Sequence, residues 1–134
     1  MLPRLLLDTH IVVRWLVEPK RLSREQLRVL EEVVQRAEPV ALSEISLLEI
    51  AVLTSEGKLK LRRSLSDFFE ELQANPVFRV LPLTCEIALE IASLGNGLRT
   101  PSDRAIVATA RVHRLRLLTS DQRIIESKLV PVIE

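Results

Sequence analysis

The sequence predicts an α/β domain: a parallel sheet of about four to five strands with helices on both faces. Two observations predict it. Short apolar runs alternate with longer amphipathic stretches along the whole chain, the pattern of strands joined through crossover helices. A Ser, Thr or Asp stands ahead of most of the amphipathic stretches, where helix N-caps belong. A chain of 134 residues is long enough for one core, so residues 1–134 read as a single domain.

Leu5-Leu6-Leu7 reads as the first strand, ending at Asp8. Thr9 to Val17 reads as a short helix, stopped ahead of Pro19 because the residue before a proline avoids helical geometry. Ser23 caps a second helix with Leu27, Leu30, Val33 and Val34 at helical spacing. Pro39 to Leu42 is the second strand. Ser43 caps a third helix, with Ile45, Leu48 and Val52 on one stripe, ending near Gly57. Ser64 or Ser66 opens a fourth helix carrying Leu65, Phe68, Phe69 and Leu72. Phe78 to Leu81 is the third strand, and Thr84 caps a helix to about Leu94. A loop at Gly95-Asn96-Gly97 follows. Thr100-Pro101 then starts a helix to about His113, with proline at its first position. Leu115 to Leu118 is the fourth strand, and a short helix from Gln122 leads to a last strand, Val130 to Ile133.

Apolar residues at 47% and charged residues at 28% exclude a disordered chain. The net charge of +1 demands no polyanionic partner, so nucleic-acid binding has to be argued from local sites. The single cysteine, Cys85, makes no internal disulfide and no cysteine metal cluster, which fits a reducing cytosol. Asp8, His10 and Arg14 interrupt the apolar run from Leu5 to Val17, so it reads neither as a signal peptide nor as a membrane span. The expectation is a cytoplasmic protein that does not engage a membrane.

In a parallel sheet, ligands collect outside the carboxyl ends of the strands. Asp8 and Asp121 stand there, directly after the first and fourth strands. Each also suits a helix N-cap, and one carboxylate can do both. Glu49 is the only charged residue between Glu44 and Glu56 and shares the stripe of Ile45 and Val52. A carboxylate on such a stripe needs a cation, a donor cluster or a metal, because burying it alone costs several kcal/mol. Asp103, three residues after Thr100, suits a capping arrangement and can also face the core beside Ile106 and Val107. Four carboxylates in one pocket would raise each other's pKa values, and an all-oxygen donor set favours Mg²⁺ or Mn²⁺. His10 and His113 are isolated and do not read as ligands.

The segments LLLDTH, SLLEIA, PSDRAIVATA and LLTSDQRI, in this order and spacing, closely resemble the motifs of PIN-domain ribonucleases, specifically VapC-type toxins of toxin–antitoxin pairs. The resemblance covers nearly the whole chain. It implies a single PIN-like domain and a metal-dependent endoribonuclease, usually a homodimer, held inactive by a cognate antitoxin. Carried over by position, Asp8, Glu49, Asp103 and Asp121 become the catalytic, metal-binding acids. Thr119 falls where relatives often carry a hydroxyl near the fourth acid. Two flanks depart from the pattern. Leu48 stands where many relatives have an aromatic residue, and Thr100-Pro101 where many have Asp-Pro.

Aromatic residues are 3% of the chain, so base stacking is poorly provided and backbone contacts to RNA are expected instead. Lys58, Lys60, Arg62 and Arg63 form the obvious basic cluster for RNA, with Arg111, Arg114 and Arg116 as a second. Phe68, Phe69 and Leu72 offer apolar surface for a dimer. The competing readings are a non-catalytic PIN-like module that binds RNA or protein, and another Mg²⁺-dependent phosphohydrolase. Only one acid follows the first strand, where an acid-pocket phosphatase usually shows a pair.

Overall fold

The three leucines of Leu5–Leu7 are all buried, and they form the central strand β1. A strand covered on both faces needs no polar alternation, which is why the run is continuous. The computed structural model describes residues 1–134 and has this strand at the middle of the chain's only sheet. The elements follow in order: β1 (Leu5–Leu7), α1 (Thr9–Val17), a 3-10 turn (Pro19–Arg21), α2 (Arg24–Gln35), β2 (Val40–Ser43), α3 (Glu44–Ser55), α4 (Leu65–Ala74), β3 (Phe78–Leu81), α5 (Cys85–Ser93), α6 (Pro101–His113), β4 (Arg116–Leu118), α7 (Gln122–Ser127) and β5 (Val132–Ile133).

The sheet has five strands in the order β3-β2-β1-β4-β5, and every pair is parallel. Leu6 lies opposite both Ala41 and Leu117. Strand order reverses between β1 and β4, so a crevice opens outside their carboxyl ends.

Alternation along the strands sorts the core into two layers. Leu5, Leu7, Val40 and Leu42 face Ile11 and Val12 of α1, Leu30 of α2 and Phe68 and Leu72 of α4. Leu6, Ala41 and Leu117 face Ile87 of α5 and Ile106, Val107 and Ala110 of α6. The expected helices on both faces are therefore present; the second layer is aliphatic, and the first also holds Phe68 and Phe78.

The capping serines, threonines and aspartates act as the sequence implies, except at the start of α6. Ser23 and Gln26 form a capping box. Ser64, rather than Ser66, accepts the Asp67 N–H at the start of α4. Thr84 accepts the Ile87 N–H. Thr100 makes no side-chain cap bond, and Pro101 supplies the helical first position instead. The Arg104 guanidinium donates to three carbonyls, those of Gly95 at 2.6 Å, Leu98 at 2.6 Å and Ile91 at 2.7 Å. These tie the last turn of α5 and the loop after it to the first turn of α6, which carries Asp103.

Four expectations are corrected. Phe68 and Leu72 are at most 1% exposed and Phe69 is half-buried, so these residues pack the core and do not form a dimer surface. Val33 is buried, but its neighbour Val34 faces solvent. In α3 the buried positions are Ser46 and Ile50, while Leu48 is 59% and Val52 44% exposed. That helix is apolar nearly all round, so periodicity could not select its inner face. The last strand is shorter than expected, Val132–Ile133 instead of Val130–Ile133.

Candidate metal centre

Asp8 is 4% exposed and leaves β1 as the N-cap of α1. Its Oδ1 accepts the Thr9 N–H at 2.8 Å, and its Oδ2 accepts the Thr119 hydroxyl at 2.7 Å. Thr119 is fully buried, and its Oγ1 also accepts the Asp121 N–H at 3.0 Å. One hydroxyl thus orders both strand-end acids. The Gln26 amide donates to the Thr119 carbonyl at 3.3 Å and to Ser120 Oγ at 3.2 Å, holding this turn from below.

Glu49 reaches the crevice from α3, half-buried, and its Oε1 accepts the Thr9 hydroxyl at 2.5 Å. The Thr9 proton is spent on that bond, so Ser46 donates to Thr9 Oγ1 across 2.9 Å. Asp103 comes from the first turn of α6 and is buried. Asp121 caps α7 and accepts the Arg123 N–H. All four acids line one crevice of about 300 Å³.

Burial pushes the Asp8 carboxyl up to about 6. The Thr119 and Thr9 hydrogen bonds oppose this, and Glu49 and Asp121 add to it. Burial also pushes Asp103 up to about 6, with further contributions from Asp121, Asp8 and Glu49 against Arg123. Asp121 is held below the usual carboxylate range by its hydrogen bond from Arg123. The Arg123 Nη2 lies 2.9 Å from Asp121 Oδ2 and 3.2 Å from Asp103 Oδ2. A guanidinium thus stands where the two acids would share a cation.

No three His, Cys, Asp or Glu side chains close on one point that would hold a metal ion. Thr9 draws Glu49 aside and Arg123 draws Asp121. In donor chemistry the residues fit a hard divalent cation. Asp8 and Asp103 are pushed up to about 6, first by burial and then by the neighbouring carboxylates, and an all-oxygen set of this kind suits a hard cation.

Sequence reasoning missed Thr9, His10, Arg14, Arg21 and Arg123, all of which line the crevice. His10 Nε2 accepts the Ser120 N–H at 2.9 Å, so the ring proton sits on Nδ1, 3.6 Å from Asp8 Oδ2. Burial and the nearby Arg14 charge lower its pKa to about 4, leaving it neutral at pH 7. The available signal was position. His10 and Arg123 each follow a strand-end acid by two residues, inside the first turn of the helix that acid caps.

The predicted basic cluster lies between α3 and α4, and only Leu59 of that segment lines the crevice. Lys58 meets Glu56 at 3.6 Å, Arg62 meets Glu18 at 3.8 Å and Arg63 meets Glu71 at 2.5 Å. Lys60 has no ion pair. In the second cluster, Arg111 is engaged with Glu90 and the Leu129 carbonyl, where α6 ends, away from the crevice. A larger apolar cavity, about 530 Å³, sits at the amino ends of β2 and β3 between Trp15 and Pro76 and holds no cluster of reactive groups.

A five-stranded parallel sheet with four acids at the carboxyl ends of its central strands and on the adjoining helices defines a PIN-type acidic-crevice domain. The chain belongs to the PIN domain family, whose model matches residues 5–128. It is 30% identical over 120 residues to Ribonuclease VapC22 of Mycobacterium tuberculosis (strain ATCC 25618 / H37Rv), covering 89% of this chain and 88% of that one. Two solved structures share the fold. One is FitAcB from Neisseria gonorrhoeae, with TM-score 0.71 and 23% identity over 97% of this chain and 96% of that one. The other is VapBC2 from Rickettsia felis bound to a DNA fragment from their promoter, with TM-score 0.71 and 15% identity over 96% of each chain.

Proposed function

We propose that the protein is a divalent-metal-dependent endoribonuclease, the toxin of a toxin–antitoxin pair, with Mg²⁺ or Mn²⁺ as cofactor and RNA as substrate. The observation that carries this is the single crevice shared by Asp8, Glu49, Asp103 and Asp121 in a PIN domain. The likeness to a named ribonuclease along nearly the full chain supports it.

Asp8, Glu49, Asp103 and Asp121 would hold the cation. Bound there, it supplies Lewis-acid activation of water and neutralises charge at the scissile phosphate. Thr119 holds Asp8 and Asp121 in place, Thr9 holds Glu49, and neutral His10 fixes the Ser120 turn between them. Any of the four acids not neutralised by the cation can accept the proton of the attacking water. Lys58 and Lys60, on either side of the crevice residue Leu59, would meet RNA at the rim, with Arg62 and Arg63 beyond them.

The cognate antitoxin would inhibit by placing an Arg or Lys among the acids. The Arg123 contact supports this, since a guanidinium already fits between Asp103 and Asp121. The homodimer would form on the exposed apolar groove of Leu48, Val52, Leu83 and Pro101, about 680 Å³. No helix is long and apolar enough to cross a membrane, and we place the activity in the cytoplasm. RNA cleavage should require Mg²⁺ or Mn²⁺, stop in excess EDTA and return when Mn²⁺ is restored. Undiminished cleavage in EDTA by protein free of contaminating nuclease would contradict the proposal.

A further inference from the structure

Three arginines line the acidic crevice, and they differ in what they touch. Arg123 is spent on Asp103 and Asp121. Arg14 and Arg21 form no ion pair and their side chains donate no hydrogen bond. Outside the crevice some arginines find carboxylates, as Arg28 does with Glu25 and Glu32, and Arg111 with Glu90, while others such as Arg24 and Arg99 stand free in solvent; Arg14 and Arg21 are the unpaired arginines that line the acid crevice. Glu18, between the two crevice arginines in sequence, turns to Arg62 instead.

Their placement is built into the backbone. Arg14 follows His10 by one helical turn, so both project from the same face of α1. Pro19 then opens a 3-10 turn, held by Arg21 N–H to the Glu18 carbonyl and Leu22 N–H to the Pro19 carbonyl, which returns Arg21 to that flank. Arg14 is half-buried, and the proximity of Arg21 lowers its proton affinity further. Two like charges kept together beside a crevice, with no counterion of their own, call for an external anion. Guanidinium forks match phosphate oxygens in pairs.

We infer that Arg14 and Arg21 form a phosphate subsite that seats an RNA backbone phosphate next to the scissile one, along the flank of the acid crevice. The inference rests on the ribonuclease reading. An RNA strand carries phosphates at regular spacing, so one can stand at the acids' cation while its neighbour stands at the arginine pair. An acidic peptide fits less well, because its further carboxylates would meet Asp8, Glu49, Asp103 and Asp121. The pair also offsets the repulsion those acids exert on any approaching polyanion.

The test uses the full chain in an inactive Asp8→Asn background with Mg²⁺ and a short single-stranded RNA, with affinity measured at several salt concentrations. Arg14→Gln/Arg21→Gln should weaken binding about tenfold or more, as loss of charged hydrogen bonds does. It should flatten the salt dependence by about 0.7 per lost phosphate contact. Arg14→Lys/Arg21→Lys should keep the slope and recover part of the affinity. Arg21→Gln alone, at an exposed position, should show a smaller loss and controls for folding. In the active chain the double Gln variant should raise KM with little change in kcat. Mn²⁺ affinity, read by electron paramagnetic resonance, should not fall. Parental RNA affinity and slope in the double variant would overturn the subsite, and an accompanying loss of affinity for a polyglutamate peptide would reassign the pair to a protein partner. A parent chain that binds no RNA at any salt would overturn the ribonuclease reading and the subsite with it.

Discussion

Asp8→Asn should reduce RNA cleavage more than about a hundredfold, beyond the 10–100-fold that loss of a metal site's outer partner typically costs. The same change should leave the metal-free chain at pH 7.5 no less stable than its parent. Asn keeps the oxygen that accepts the Thr9 N–H, and its amide NH2 meets Thr119 with the hydrogen bond reversed, donating to the hydroxyl oxygen. It removes a buried charge that the fold resists. The folded carboxyl has a pKa of about 6 against an unfolded value near 3.8. Its contribution to stability is therefore fully present below pH 3.8 and lost as pH rises through about 6. At pH 7.5 the parent carries that cost and the Asn variant does not. Thermal melts in EDTA together with a cleavage assay check both halves. A variant that cleaves normally would remove Asp8 from the chemistry, and one that melts far below its parent would mean that the lost activity reports misfolding.

Phe68→Ala should destabilise the chain by about 3–5 kcal/mol, the usual cost of emptying a buried phenylalanine site. The ring is fully buried against α4 neighbours and β-sheet leucines, with Phe69 edge-on at 6.2 Å and the Arg63 guanidinium 5.1 Å from its centroid. That is a large share of the roughly 5–15 kcal/mol that holds a domain folded. Urea unfolding should show a lower midpoint with the slope kept. A dimer-surface phenylalanine would behave differently. Its loss would change association and leave the folding midpoint of the monomer in place.

Phe68 shows where the sequence stops being informative. A helical stripe identifies residues that must be covered, but not whether a sheet or a second molecule covers them. α3 shows the related failure, because an apolar residue at nearly every position leaves no moment to orient it. The strands were legible for the opposite reason. Leu5–Leu7 and residues 40–42 are apolar without alternation, and only a sheet covered on both faces accepts that pattern. The acids were legible because carboxylates are conspicuous beside apolar runs. Asp8 and Asp121 end strands, and Glu49 stands alone among aliphatic neighbours. The groups that organise them were not. Thr9, His10 and Arg123 look like ordinary first-turn residues, and their roles depend on hydrogen bonds spanning 40, 110 and 2 residues. Arg14 and Arg21 were hidden among many arginines, since only the fold brings these two to the acid crevice.

The central claim is that these acids form one metal centre, and the most direct measurement is Mn²⁺ binding followed by electron paramagnetic resonance on the wild-type chain and on Asp103→Asn/Asp121→Asn. The wild-type chain should bind Mn²⁺ at pH 7.5, and binding should weaken as pH falls through about 6, where Asp8 and Asp103 take up protons. The double variant should lose this binding while keeping its fold. Equal Mn²⁺ affinity in the two chains, or affinity in the wild type indifferent to pH between 5 and 7.5, would contradict a shared metal centre.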